Sequence, residues 1–113
     1  MTGEFDFIYS DLAGDPDMEE LIELFADSMQ EISKTVAEAL DRKDWDGVRR
    51  SAHQVKGAAA GYGFANLGSV AATLETMVNR DGTPVETPET IAKQAHDFVD
   101  MCDRVRPGHP SNA

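Results

Sequence analysis

The chain has 113 residues, 41% of them hydrophobic, which suffices for one domain around a single core. Its 21 acidic and 10 basic residues leave a formal charge of −11. That balance excludes the basic footprint of a nucleic-acid binder and opposes docking on an anionic membrane.

One cysteine, Cys102, rules out an intrachain disulfide. The opening MTGEFDFIYSD has neither the basic n-region nor the apolar h-region of a secretion signal. No stretch approaches the roughly 18 apolar residues of a membrane span. The chain reads as cytosolic, soluble and monomeric. It reads as a single domain over 1–113, with a core at about 8–105 and a disordered tail over 106–113.

In chain order, the short apolar segment Phe5 to Leu12 is expected to add a helical turn or two that caps the fold. The first long helix is expected to open at Asp15 as N-cap with Pro16 in the first position, where the missing N–H costs nothing. Met18, Leu21, Ile22, Phe25, Met29, Ile32, Val36 and Leu40 then trace one face to about Asp41. A second helix is expected from an Asp44 cap, with Trp45, Val48, Ala52, Val55, Ala59 and Tyr62 on one face and Gly61 and Gly63 ending it.

The third helix carries Leu67, Val70, Ala71, Leu74 and Val78, and Arg80-Asp81-Gly82 is expected to stop it. After a turn-rich loop, Thr87-Pro88 opens the fourth helix, whose inward face is Ile91, Ala95, Phe98, Cys102 and Val105. Pro107, Gly108 and Pro110 are expected to end it. Four single-striped helices joined by short loops bury their stripes best as an all-α, up-down-up-down four-helix bundle, here with a short extra N-terminal helical segment.

The chemistry concentrates in Ala52-His53-Gln54-Val55-Lys56-Gly57. With about 100° of turn per residue, His53 stands roughly 100° from the buried Ala52, on the flank of its helix. Lys56 and Gly57 are its next-turn neighbours, a cation and an absent side chain. Gly57 costs about 1 kcal/mol against alanine in a helix interior, so close approach of another surface is the benefit to look for. Ala60 keeps the same flank flat. Lys56 opposes a positive imidazolium and favours the neutral, nucleophilic ring.

The second and third helices turn back on each other near Gly61 to Phe64. A residue about ten before the turn then faces one about ten after it, and His53 and Glu75 meet that condition. A carboxylate accepting from Nδ1–H would fix the tautomer and free Nε2. Arg49 and Arg50 lie near the same flank, placed to steer a partner.

His53-x-x-Lys56-Gly57, with Gly63 ten residues after the histidine, resembles the signature of the histidine-containing phosphotransfer (HPt) family. Leu67, Leu74 and Glu75 resemble its leucine-rich third helix, and the acidic first helix with Asp15 ahead of it fits as well. The resemblance covers roughly residues 8 to 105. Val55 stands where leucine is more usual, and Glu75 where glutamine is frequent and chemotaxis kinases have glutamate.

The resemblance implies that His53 is the phosphoacceptor at Nε2, that Lys56 contacts the phosphoryl oxygens, and that Gly57 leaves room for a docking domain. It further implies that Gly63 makes the turn between the central helices. The implied function is a phosphorelay intermediate, passing a phosphoryl group to and from the aspartate of response-regulator receiver domains, with a sensor or hybrid histidine kinase upstream. It is not a kinase, since no phosphate-binding glycine loop and no acidic Mg2+ cluster occur. It has no cofactor of its own, and Mg2+ is expected on the receiver.

Other readings are a non-phosphorylated adaptor for receivers or kinases, a phosphoacceptor domain cut from a larger kinase, and a metal or haem bundle. The last needs several inward ligands, and no Glu-x-x-His pair occurs. Cys102 reads as a small core residue, and His96 and His109 carry no assigned role.

Overall fold

The computed structural model describes residues 6–108. Its four helices are α1 (Glu19–Asp41), α2 (Trp45–Ala59), α3 (Ala65–Thr76) and α4 (Pro88–Arg104), and α2 continues into a single 3-10 turn at Ala60–Tyr62. Each helix packs on its two neighbours around the ring, α1 on α2, α2 on α3, α3 on α4 and α4 back on α1. The stripes close on one core in which Ile22, Val36, Val48, Val55, Leu67, Leu74, Ile91 and Phe98 are fully buried. This is the all-α bundle that the four stripes require.

The helix boundaries follow local chemistry. Asp44 caps α2, its carboxylate accepting from the Gly47 N–H at 3.0 Å. The same residue completes the end of α1, where Asp44 N donates to Ala39 O at 2.8 Å and Lys43 N to Leu40 O at 3.0 Å. These two bonds form a Schellman motif, with Lys43 at φ 57° where glycine is usual. Thr87 caps α4, its hydroxyl accepting from Thr90 N at 3.1 Å, and Pro88 takes the first position.

Several boundaries differ from the expectation. Asp15 does not cap α1: its carboxylate accepts from Asp17 N at 3.0 Å and closes a separate turn, and α1 opens three residues after Pro16, at Glu19. Leu21, expected inward, is exposed. The second helix loses α geometry after Ala59, before Gly61, and of Gly61 and Gly63 only Gly63 takes the left-handed conformation, at φ 86°.

α3 ends at Thr76, short of Val78. Val78 is still buried, because it leaves the helix to pair antiparallel with Pro84, and Arg80-Asp81-Gly82 forms the tip of that hairpin-like turn. α4 stops at Arg104, two residues before Arg106-Pro107, because Val105 turns extended to pair with Ile8.

That pairing also corrects the N-terminal segment. Ile8 N donates to Arg104 O at 2.7 Å and Arg106 N to Ile8 O at 2.9 Å, so residues around Ile8 lie parallel to the end of α4 in place of a helical turn. The chain then crosses to the α2–α3 elbow. Ser10 Oγ donates to Tyr62 O at 2.5 Å and Asp11 N donates to Gly63 O at 3.0 Å. A side chain at Gly63 would collide with Ser10 Oγ and the backbone N of Asp11, so this glycine answers both a left-handed turn and a close crossing. Phe5, His109, Pro110 and the rest of the expected tail to Ala113 lie outside the described residues.

The two faces of the bundle use different side chains. α2 and α3 meet through small residues, among them Ala52, Ala59, Gly68 and Ala71, and the Gly68 Cα side lies against Ala59 and the Lys56 carbonyl. α1 and α4 meet through larger ones, Met29 against Cys102 with Phe98 buried on the same helix as Cys102, while the Phe25 ring of α1 packs on Tyr62 and Phe64 at the α2–α3 elbow. On that side Ser33 Oγ donates to Asp103 Oδ1 at 2.5 Å, so the buried hydroxyl is satisfied. Cys102 lies against Met29 Sδ at 3.9 Å, and burial pushes its thiol up to about 12.

Candidate functional site

Small residues between α2 and α3 bring the two backbones together, and the polar flanks reach across. His53 stands near the middle of α2 with its side chain 65% exposed. Glu75 stands one residue before the end of α3, only 18% exposed, between α2 and its own helix. His53 Nδ1 lies 2.6 Å from Glu75 Oε2, and Lys56 Nζ lies 2.6 Å from Glu75 Oε1. One carboxylate thus holds the two α2 side chains that stand three residues apart, one on each oxygen.

The electrostatics fix the proton. Glu75 sits below the usual carboxylate range, chiefly through the Lys56 hydrogen bond, with His53 adding to it and partial burial opposing. At neutral pH the carboxylate is ionised and can only accept. The nitrogen facing it, Nδ1, therefore carries the hydrogen, and in the neutral ring Nε2 carries the lone pair. With Nδ1 engaged and the side chain 65% exposed, Nε2 is the ring nitrogen with no hydrogen-bond partner among the described residues.

The surroundings of the ring are flat. Gly57 and Ala60 are exposed one and two turns along the same flank, and a side chain added at Gly57 would meet nothing within 4 Å. No packing among the described residues therefore explains the helix-interior glycine. Arg49 and Arg50 are less alike than their sequence suggests. Arg49 is 17% exposed and bound to Asp46 Oδ1 at 3.1 Å, whereas Arg50 is 67% exposed and bound through Nε to Asp46 Oδ2 at 3.0 Å. Both stand about one turn below His53 and are tied to one carboxylate a further turn down, and only Arg50 projects into solvent.

Sequence periodicity missed a neighbouring feature. Leu21 and Leu24 are exposed, Leu24 by 58%, and with Phe25, Val55, Ala58 and Tyr62 they line a groove of about 210 Å3 between α1 and α2. The available signal was an apolar surplus: Leu21 and Leu24 widen the α1 stripe beyond what one buried face can hold. Among the described residues no group of three or more His, Cys, Asp or Glu side chains could hold a metal ion, and no helix is long and apolar enough to cross a membrane.

The structure is a helical bundle that presents one exposed imidazole, held at Nδ1 by a carboxylate, beside a lysine. The family model for the Hpt domain matches residues 20–108, and the chain belongs to the Hpt domain family. The family places it in phosphotransfer within two-component signalling, where such domains engage receiver domains and kinases. No curated protein and no solved structure matches the chain.

Proposed function

We propose that this protein is a phosphorelay intermediate that takes a phosphoryl group onto His53 Nε2 from the phosphoaspartate of a receiver domain and returns it to the aspartate of a receiver. The observation that carries the reading is the 2.6 Å contact of His53 Nδ1 with an ionised Glu75 beneath an exposed ring.

In the forward step the Nε2 lone pair attacks phosphorus in line. The Nε2–P bond forms, the P–O bond to the aspartate breaks, and its electron pair leaves on the carboxylate. The ring keeps its Nδ1 proton and gains positive charge, which Glu75 faces directly. Lys56 Nζ, one helical turn from the ring, is near enough in sequence to leave Glu75 Oε1 for a phosphoryl oxygen as negative charge arrives. The partner brings the aspartate and Mg2+. Its edge rests over Gly57 and Ala60, where no Cβ or only a methyl group stands in the way. Exposed Arg50 steers the acidic face of the receiver, while Arg49 holds Asp46 in place.

Incubation with a phosphorylated receiver tests this. Wild type acquires an acid-labile, base-stable label; His53→Gln acquires none, with unchanged helicity and melting. Undiminished labelling of the variant would overturn the assignment, and a folded wild type that binds receivers without any label would make the chain an adaptor.

A further inference from the structure

Below the apolar groove, the cleft between α1 and α2 changes character. Gln54 borders both parts, and past it lies a polar depression of about 300 Å3. Thr35 and Arg42 of the α1 side and Arg50, Ser51 and Gln54 of α2 line it. Two arginines thus converge on one hollow of a chain whose formal charge is −11.

The second observation is Ser51. It is 6% exposed, one of three buried polar residues among those described. The other two are satisfied: Ser10 Oγ bonds Tyr62 O and Ser33 Oγ bonds Asp103. Ser51 Oγ has no hydrogen-bond partner among the described residues, and Ser51 lines the depression. A buried hydroxyl without a partner is disfavoured unless something outside the chain meets it.

The cations are available too. No ion pair among the described residues includes Arg42, and Arg50 commits only Nε to Asp46, leaving its two terminal amino groups. Asp44 is the opposing charge on the rim, and its Oδ1 already accepts the Gly47 N–H.

We infer that this depression is an oxyanion seat: Arg42 and the Arg50 amino groups neutralise the ligand, while the Ser51 and Thr35 hydroxyls and the Gln54 amide donate to its oxygens. Arg50 precedes His53 by three residues and Gln54 follows it directly, so an anion bound here lies alongside the phosphoacceptor helix face without using His53 itself. The ligand chemistry is a phosphate-type or carboxylate oxyanion.

Titration of the protein with sodium phosphate and, separately, sodium acetate at pH 7.5, against sodium chloride at matched ionic strength, tests the seat. Amide shifts at Thr35, Ser51 and Gln54 saturate, and Tm rises with the oxyanion but not with chloride. Arg42→Gln and Arg50→Gln each weaken the response by about tenfold, the loss expected for one charged hydrogen bond. Ser51→Ala melts at or above wild type in chloride yet loses most of the oxyanion-dependent rise.

Saturation by acetate as well as phosphate supports a seat for a partner's carboxylate side chain, and saturation by phosphate alone supports free phosphate. His53→Gln keeps the full response, so failure of the relay assignment leaves this one standing. Shifts that grow linearly with salt, or a response that survives Arg42→Gln, overturn it.

Discussion

The α1–α4 and α2–α3 halves of the bundle solve the same burial problem with opposite materials. α1 and α4 pack larger side chains, with Met29 against Cys102 and Phe98 fully buried on the same helix as Cys102, and their polar cross-link, Ser33 to Asp103, joins a buried hydroxyl to a carboxylate. α2 and α3 touch through Ala52, Ala59, Gly68 and Ala71, and their cross-links, His53 and Lys56 to Glu75, stand at the surface. Large residues supply apolar area and hold helices firmly. Small residues supply little area but let backbones approach, so polar side chains on the two flanks can meet. One half is organised for stability and the other for placing an imidazole.

The two halves are therefore expected to fail differently. The largest effect is expected from Phe98→Ala, which empties a fully buried site and costs about 3–5 kcal/mol in urea unfolding. The His53 ring environment in the folded fraction stays as in wild type. Gly68→Leu wedges α2 from α3 and costs about 1–3 kcal/mol. It also parts His53 from Glu75, read as loss of the hydrogen-bonded Nδ1–H signal by NMR. Gly68→Ala is the control, because its Cβ would meet Ala59 at an ordinary 3.5 Å and the contact survives. A Gly68→Leu protein that keeps the His53 signal would break the claim that close helix approach positions the site.

Gly57→Ala reverses the sign. Its Cβ meets nothing within 4 Å, so the variant is about 0.5–1 kcal/mol more stable while phosphotransfer from a receiver slows. The smallest effect is a pH dependence. A carboxyl held below its usual value contributes stability that is complete above 4.5 and fades as pH falls through the lower folded value. The stability gap between wild type and Glu75→Gln therefore narrows as pH drops below 4.5, measured by urea unfolding at stepped pH.

The four helices and the His53–Glu75 approach were legible because both follow from counting along a chain: stripes repeat every three or four residues, and an antiparallel turn pairs positions equally distant from it. The misread places are those where a distant residue decides. Ile8 takes an extended form because Val105 offers it backbone partners almost a hundred residues later. Val78 looked helical by spacing, yet Pro84 draws it into a bridge while its side chain stays buried. Asp15 has cap chemistry, and it does cap, but a turn instead of a helix. The role expected for Arg49 and Arg50 together divides in three dimensions, since Asp46 binds both and burial takes Arg49 from the surface.

Cys102 gives the molecule its own stopwatch. It is the sole thiol of the chain, sealed between α1 and α4 and held in its unreactive protonated form. A disulfide reagent reaches it only in the moments when those helices part. With dilute reagent the labelling rate reports how often the open form is populated, and with concentrated reagent it reports how fast opening occurs. The breathing of the firm half can thus be timed in the native sequence, with no cysteine introduced and His53 left free to react.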